Sequence, residues 1–455
     1  MPKKKTALTI EERLQQALVP AEEQPYEVPE NWVWVRLESV ASWGSGGTPS
    51  RKHEEYYNGD ILWIKTGELN NGWIYDTEEK ITDEGLKKSS AKLFPPYSVL
   101  IAMYGATIGK VAILGVPATT NQACACAVCN QSLLYMYLFY YCISQKNVFI
   151  EKGKGGAQPN ISQIILKQHP IPLPPLSEQQ RIVERIEELL AKLDEAKERL
   201  QEVADSFAVR KAAILHKAFT GELTKQWRRE NGVSDESWEE RKLGEVGSWL
   251  GGGTPSTSRE EYWENGNILW ITSKDMKSTV IEDTLMKVNE IGVKNSSANY
   301  IEKPALLVVM RSGILRRTFP VAMVKKPFTV NQDLKAIIPD EDDLEFLYWM
   351  LLSNEQRILN TCMKNGTTVE SINSNALKDL TFKCPTLPEQ HEIVRLIDEL
   401  LARERATQQA AEQALASIDL MKKSILARAF RGELGTNKAS EASALELLKQ
   451  VLAEN

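Results

Sequence analysis

The pentapeptide GGTPS stands at residues 46–50 and again, unchanged, at residues 252–256 of a 455-residue chain. Further matches keep nearly the same offset: Trp32 with Trp238, Trp43 with Trp249, ILWI at 61–64 with ILWI at 268–271, SSA at 89–91 with SSA at 296–298, Asn121-Gln122 with Asn331-Gln332, and AFTGEL at 218–223 with AFRGEL at 429–434. An offset of about 210 residues is far too long for a solenoid repeat. The sequence therefore predicts two similar domains in one chain, related as in a fused dimer.

Each copy has the pattern of a mixed α/β domain. The runs that predict strands lie at 99–103, 111–114, 305–310 and 321–324, and those that predict buried helices lie at 133–144 and 344–353. The proline-rich segments at 172–175 and 384–388 predict the end of each copy, because proline does not continue regular structure.

A long helix is predicted after each copy, from Glu178 to about His216 and from Glu389 to about Phe430. Apolar residues recur in steps of three and four, as in a coiled coil. The predicted seam comprises Ile186, Leu189, Leu193, Leu200, Val203 and Phe207 in the first helix and Ile397, Leu400, Ala411, Ala414, Ile418, Met421 and Ile425 in the second. Glu404 and Thr407 interrupt the second seam, and a charge there costs stability. We expect a rigid spacer; the alternative is an ordinary helical hairpin within a core.

Composition excludes some classes of protein. The net charge of −6 argues against a strongly non-specific DNA binder, although a specific one depends on local charge. The most apolar run, residues 133–143, is much shorter than the roughly 20 residues of a membrane span, and no apolar segment follows the basic N-terminus. We expect a cytoplasmic protein. Cys124, Cys126 and Cys129 suggest a metal knuckle, but a buried strand is the better interpretation because the second copy has no cysteine there.

Two motifs resemble catalytic loops and fail on chemistry. FPPY at 94–97 has Phe94 where an amino-methyltransferase needs a polar residue to accept a hydrogen bond from the target amino group. GATIGK at 105–110 is one residue short of a P-loop, and Val111 stands where Ser or Thr should bind Mg²⁺. The four histidines form no zinc-ligand pattern. The sequence predicts binding, with no catalytic residue and no metal site.

The duplicated domain with its helices closely resembles the specificity subunit of type I restriction-modification systems. The residues that carry the resemblance are GGTPS, ILWIKTGEL at 61–69, MYGATIGKVAIL at 103–114, Asn121-Gln122, GGAQPNIS at 155–162, PLPPLSEQQRIV at 172–183 and AFRGEL at 429–434. They span nearly the whole chain in a fixed order. The second copy departs from this pattern at 312–317 (SGILRR) and 366–371 (GTTVES), which leaves individual base contacts undetermined.

The resemblance implies a mixed α/β (α+β) fold with two target recognition domains separated by long antiparallel coiled-coil helices in a pseudo-two-fold arrangement. The expected segments are an N-terminal helical arm (1–30), the first recognition domain (31–176), a central spacer helix (177–230), the second recognition domain (231–387), a distal spacer helix (388–435) and a C-terminal helical tail (436–455). Each domain is expected to read one half of a bipartite asymmetric double-stranded DNA site, with the helices fixing the spacing.

The implied partners are two methyltransferase subunits docked on the helices and two restriction/translocase subunits. The chain itself is expected to be non-catalytic and to bind no cofactor, since S-adenosylmethionine, ATP and Mg²⁺ belong to the partner subunits. The alternatives are a stand-alone sequence-specific DNA-binding regulator, which would not associate with a methyltransferase, and a coiled-coil protein scaffold, which would not shift DNA in a gel.

Specific readout of DNA needs side chains that bond to base edges and cations that contact phosphates. The candidate residues are Thr48, Lys65, Thr66, Lys110, Lys154, Gln158 and Asn160 in the first copy and Thr254, Ser273, Lys274, Arg311, Arg316, Arg317 and Lys364 in the second. Any one of them could instead be a solvated surface residue. For Asn121-Gln122 and Asn331-Gln332, a structural role in tying loops to the backbone is the alternative.

Overall fold

The computed structural model describes residues 9–153, 160–364 and 368–454. The chain divides into two compact units: unit 1 is formed by Met1–Leu200 with Gln413–Asn455, and unit 2 by Gln201–Glu412. Each unit therefore combines one copy of the repeat with parts of both long helices, rather than one copy with the helix that follows it.

The secondary structure repeats between the units. The helices are α1 (Ile10–Ala17), α2 (Leu37–Val40), α3 (Asp83–Lys87), α4 (Tyr135–Ser144), α5 (Lys146–Lys152), α6 (Gln163–Lys167), α7 (Leu176–Asp205), α8 (Phe207–Phe219), α9 (Lys225–Asn231), α10 (Glu290–Lys294), α11 (Leu344–Ser353), α12 (Glu355–Cys362), α13 (Ser374–Lys378), α14 (Leu387–Ala429) and α15 (Ala444–Glu454). The strands are β1 (Val33–Arg36), β2 (Ala41–Ser45), β3 (Tyr57–Ile64), β4 (Trp73–Ile74), β5 (Lys80–Ile81), β6 (Val99–Ala102), β7 (Val111–Leu114), β8 (Thr119–Thr120), β9 (Cys124–Cys129), β10 (Pro170–Leu173), β11 (Glu239–Lys242), β12 (Gly247–Gly251), β13 (Ile268–Ile271), β14 (Met286–Val288), β15 (Ala305–Val309), β16 (Val321–Val324), β17 (Phe328–Val330), β18 (Leu334–Pro339) and β19 (Thr381–Cys384). The mixed α/β class is confirmed.

Matching sheets form the two copies of the repeat. In unit 1 the described strands pair in the orders β2-β9-β6-β7-β4, β5-β3-β8 and β1-β10. In unit 2 the orders are β12-β18-β15-β16, β14-β13-β17 and β11-β19. The predicted strands β6, β7, β15 and β16 are confirmed and nearly fully buried, because each pairs with at least one neighbouring strand and contacts a covering helix. Cys124 and Cys126 are buried in β9, as the strand interpretation predicted.

In the first copy the proline-rich segment enters a strand, contrary to expectation, since Pro172 lies in β10, whereas in the second copy β19 ends at Cys384, before Pro385. Strand β10 pairs antiparallel with β1, with Pro172 opposite Trp34, and β19 pairs in the same way with β11. Proline is tolerated because each of these sheets has two strands in the described chain, so that both strands are edges. The pairing joins the beginning of each copy to its end.

The first long helix is interrupted, whereas a single helix was predicted. A turn at Ser206 separates α7 from α8. The Val203 carbonyl accepts hydrogen bonds from Ser206 Oγ at 3.1 Å and from Arg210 Nη2 at 3.2 Å. Side-chain bonds to a helix carbonyl commonly bend helices, and this accounts for the break.

At every second position, the seam of the second helix lies one residue further along the chain than predicted. The inward positions of α14 are Ile397, Leu401, Glu404, Gln408, Ala411, Leu415, Ile418, Lys422, Ile425 and Leu426. Leu400 and Ala414 lie half-buried beside this stripe, and Met421 is 49% exposed. Polar residues enter the stripe because they are paired: Lys422 Nζ lies 2.5 Å from Asp194 Oδ1, and Glu404 binds Arg210. In the first helix, Ile186 is buried and Leu189, Leu193, Leu200, Val203 and Phe207 are half-buried.

Each long helix ends in the core of the unit that holds the other copy. In unit 1, Phe430 from the end of the second helix contacts the rings of Tyr137 and Tyr141, with centroids 5.2 and 5.0 Å away. In unit 2, Phe219 at the end of α8 contacts Phe346 at 5.5 Å. Neither copy of the repeat completes its core with its own segment alone.

A buried Glu-Gln pair at the start of each long helix locks these contacts. In unit 1, Glu178 accepts hydrogen bonds from Trp32 and Asn437, and Gln179 accepts one from the Leu134 amide at 2.9 Å. In unit 2 the corresponding residues are Glu389 and Gln390. Glu389 accepts hydrogen bonds from Thr224 and Arg228, and Gln390 accepts one from the Asp343 amide. The repeated EQ motif is thus structural.

Candidate nucleic-acid interface

The GGTPS loop packs against the strands of its domain through close backbone contacts. A Cβ atom on Gly46 would lie 1.8 Å from the Thr120 carbonyl oxygen, and one on Gly252 would lie 1.9 Å from that of Val330. Only glycine fits such an approach. The indole Nε1 of Trp63 donates to the Gly47 carbonyl at 2.9 Å. In the second copy the Trp270 indole makes the same bond at 3.1 Å.

The threonine of this loop is exposed and has the same partner in both domains. Thr48 Oγ1 donates to Gln122 Oε1 at 2.6 Å, and Thr254 Oγ1 donates to Gln332 Oε1 at 2.8 Å. The neighbouring asparagines have the structural role given above as the alternative. Asn121 Oδ1 accepts from the Ala123 amide, and its counterpart in unit 2 accepts from the Asp333 amide.

Strand β3 in unit 1 and strand β13 in unit 2 each pair with a parallel neighbour, and the residues that follow these two strands differ between the copies. Lys65 Nζ binds Glu79 at 2.9 Å and Glu78 at 3.4 Å, and the hydrogen bond to Glu79 raises the pKa of Lys65. Thr272 takes the equivalent place in unit 2. It is followed by the half-buried Ser273 and the exposed Lys274, which correspond in order to Thr66 and Gly67. Lys65 is therefore held by carboxylates of its own domain.

The turn after β6 or β15 forms a second group of candidates. The amide of Met103 donates to Ala123 at 2.8 Å and its carbonyl accepts from Ile161 at 2.9 Å, which brings this turn beside Asn121-Gln122. Tyr104 then bridges to Asn160. In unit 2, Arg311 bridges to Ser371 in the same way. Tyr104 is exposed and was missed by sequence reasoning; its alignment with Arg311 was the available signal.

The remaining cations of this turn are differently placed. Arg316 binds Glu370, and this hydrogen bond lowers the pKa of Glu370. Arg317 is exposed, and its guanidinium has no partner among the described residues. Lys110 is half-buried at the start of β7, and Lys364 is exposed beside Ser371. Lys154 and Gln158 lie outside the described residues.

In each domain the structure thus brings together a loop group and a turn group at one end of the sheets. No group of three or more His, Cys, Asp or Glu side chains in the described ranges is placed to hold a metal ion. No helix there is long and apolar enough to cross a membrane. The exposed hydroxyl, amide and guanidinium groups suit hydrogen bonding to a polar surface.

Comparison with known proteins matches this arrangement to one family. The family model described as the type I restriction modification DNA specificity domain matches residues 29–205 and again residues 235–415. The EcoR124I/EcoR124II specificity subunit of Escherichia coli is 41% identical over 159 residues, which are 35% of this chain and 39% of that relative. The EcoKI specificity subunit of Escherichia coli K12 is 25% identical over 458 residues, which are 94% of this chain and 96% of that relative.

A solved structure has the same fold. The HsdS subunit from Thermoanaerobacter tengcongensis superposes with a TM-score of 0.65 at 20% identity, over 90% of this chain and 99% of that one.

Proposed function

The chain belongs to the family of type I restriction-modification specificity subunits, which are non-catalytic DNA-recognition subunits, and from this we propose that each of its two recognition domains reads one half of an asymmetric bipartite site. The stand-alone regulator and the scaffold are not favoured, because the family model covers both domains and much of the helices.

One observation carries the proposal: the same scaffold presents different side chains in the two units. The Trp-to-Gly and Thr-to-Gln hydrogen bonds are the same in both. Yet Tyr104 corresponds to Arg311, and Lys65 corresponds to Thr272. A fixed frame with different contact residues supports the reading of two different half-sites.

The side chains of the second domain suit direct readout better than those of the first. An arginine pairs in bidentate fashion with guanine in the major groove, and Arg311 and Arg317 are both exposed. In the first domain the exposed groups are Thr48, Tyr104 and Asn160, whose hydroxyls and amide can donate or accept. We propose these as base or phosphate contacts, together with Thr66, Lys110, Ser273, Lys274 and Lys364.

The long helices are proposed to set the gap between the half-sites and to dock two methyltransferase subunits. Helix α14 is 43 residues long, about 64 Å at 1.5 Å per residue. Two restriction/translocase subunits complete the proposed assembly, which works in the cytoplasm. S-adenosylmethionine, ATP and Mg²⁺ are assigned to those partners.

The experiment is to express the chain with the methyltransferase subunit of its own system and to map methylated adenines across the host genome. The expected result is one motif with two unlike halves and a fixed gap, lost when the chain is omitted. A chain that shifts DNA alone but does not bind the methyltransferase would support the regulator instead.

A further inference from the structure

Four aromatic side chains form an exposed patch on unit 1, which we call the aromatic patch: Trp73, Tyr75, Tyr97 and Tyr135. The Trp73 ring lies 6.1 Å from Tyr75, 6.1 Å from Tyr97 and 5.9 Å from Tyr135, measured between centroids. Tyr75 is 63% exposed and Tyr97 is 57% exposed. The rings thus contact each other, with Tyr75 and Tyr97 largely exposed and with Trp73 and Tyr135 half-buried against the core of unit 1.

The backbone around the aromatic patch is built to keep it exposed. Tyr97 has φ +66°, a left-handed conformation that is unfavourable for a bulky residue. This strained backbone conformation does not bury the Tyr97 ring, which points outward. A Cβ on Gly115 would lie 2.2 Å from the Tyr75 ring, so that glycine allows this ring to lie against the backbone.

The second recognition domain has no such patch. Aligned through their strand and helix partners, the four positions in unit 2 hold Val280, Glu282, Pro304 and Leu344. The patch is therefore not required by the scaffold that the domains share. It is a feature of the first domain alone.

Strand β6 separates the Tyr97 side of the aromatic patch from the turn of the candidate DNA interface. Tyr97 precedes β6 and Tyr104 follows it, which places them at opposite ends of a strand, roughly 20 Å apart. The border of the patch has two carboxylates: Asp76, which is exposed next to Tyr75 and paired with Lys80 Nζ at 3.0 Å, and Glu187 of α7, which raises the pKa of Tyr135 after the larger effects of burial and of Tyr97. Carboxylates at the border repel DNA phosphates.

The faces of aromatic rings attract cations, and the rings of this patch are free of such a contact within the described part of the chain. Of the described Lys and Arg side chains, none lies over these four rings, whereas Arg51 lies 4.3 Å above Tyr57 elsewhere in the same domain. An exposed cluster of aromatic residues with nearby carboxylates is complementary to a protein surface that presents Arg or Lys.

We propose that the aromatic patch is a docking surface for an Arg- or Lys-bearing segment of one methyltransferase subunit. The inference rests on the proposed function, because Glu187 belongs to the helix on which that subunit is proposed to dock. Since unit 2 lacks the patch, the two methyltransferase subunits contact this chain unequally, and the one on unit 1 depends on the patch.

The test is native mass spectrometry of the full chain titrated with its methyltransferase. The variant is Tyr75→Ala with Tyr97→Asn, because asparagine tolerates positive φ. Wild type is expected to bind two methyltransferase subunits. The variant is expected to bind one with wild-type affinity and the other at least about tenfold more weakly. The matched control, Glu282→Ala with Pro304→Ala, should keep both.

Folding is checked by thermal unfolding of each variant, and Glu187→Gln should make binding of the affected subunit less sensitive to salt. Unchanged binding of both methyltransferase subunits by a folded variant would overturn the proposal. The proposal would also be overturned if the variant lost affinity for DNA, or lost binding of the restriction subunit, while its methyltransferase binding stayed intact. If wild type itself binds no methyltransferase, the proposed function fails, which the wild-type titration alone reveals.

Discussion

The indole Nε1 of Trp32 donates to Oε2 of Glu178 at 2.8 Å, and both side chains are buried. Trp32 stands at the start of the first recognition domain, and Glu178 begins the helix that follows it. Asn437, which lies beyond the second long helix, donates to the same oxygen at 2.8 Å. One carboxylate therefore joins the beginning of the domain, its end and the returning helix.

Replacing Glu178 with glutamine should destabilise unit 1 by about 1–3 kcal/mol, because the amide loses the charge and turns an N–H toward donors. Chemical denaturation followed by Trp fluorescence measures this. Glu198→Gln, an exposed position on the same helix, should change the unfolding free energy by less than about 0.5 kcal/mol. Equal effects of the two substitutions would remove Glu178 from its structural role.

Replacing Phe430 with alanine should cost about 3–5 kcal/mol, because it empties a fully buried site between two tyrosine rings. The matched substitution Phe219→Ala should cost less, since that ring is only half-buried. Hydrogen exchange separates the two: Phe430→Ala should accelerate exchange in α4, and Phe219→Ala in α11. Exchange that changes in the same helix for both variants would contradict the reciprocal packing.

Stability should fall as the pH drops below about 6.5 because of His169. Burial, and then the positive charge of Lys152, lower the pKa of His169 to about 3. Between that value and about 6.5 the unfolded chain binds the proton and the folded chain does not, so each pH unit costs up to about 1.4 kcal/mol. Leu380 holds the equivalent place in unit 2. The Leu37 amide donates to the His169 carbonyl, and in the same way the Leu243 amide donates to the Leu380 carbonyl.

The variant His169→Leu should therefore lose less stability than wild type between pH 6.5 and 4.5. Parallel denaturation curves at several pH values measure the difference. A variant whose stability has the same pH dependence as wild type would show that His169 does not titrate as described.

Replacing Arg311 or Arg317 with alanine should weaken specific DNA binding by about 1–3 kcal/mol if each contacts a base. Arg316→Ala should have a smaller effect, because Arg316 is already paired with Glu370. Fluorescence anisotropy of the methyltransferase complex on its cognate duplex provides the affinities. Lys294→Ala, in exposed helix α10, is the control. If all four variants bound like wild type, the turn after β15 would have no part in recognition.

The duplication, the strands and the helices could be predicted because their signals are local. GGTPS and ILWI recur in order, and the continuous apolar runs of β6 and β7 have the length and composition of a fully buried strand. The composition of the units could not be predicted, since Phe430 and Phe219 pack into the opposite copy through contacts distant in sequence. The α14 seam was misplaced at Met421 because hydrophobicity alone does not indicate that Lys422 turns inward to meet Asp194.

The candidate site was predicted only in outline. Thr48 and Thr254 lie where the repeat placed them, on exposed loops. Lys65 had the right residue type, but its carboxylate partners, Glu78 and Glu79, lie in the segment before β5, and sequence spacing does not reveal that contact. Tyr104 was missed because tyrosine is as common in cores as at interfaces, and only its alignment with Arg311 identifies it.

The most direct measurement is the methylation motif of a chimera in which residues 31–176 are replaced by those of another specificity subunit. With the wild-type methyltransferase present, methylated adenines are mapped across the host genome. The account predicts that one half of the motif changes while the other half and the gap between them stay the same. A motif in which both halves change, or neither does, would contradict the assignment of one domain to one half-site.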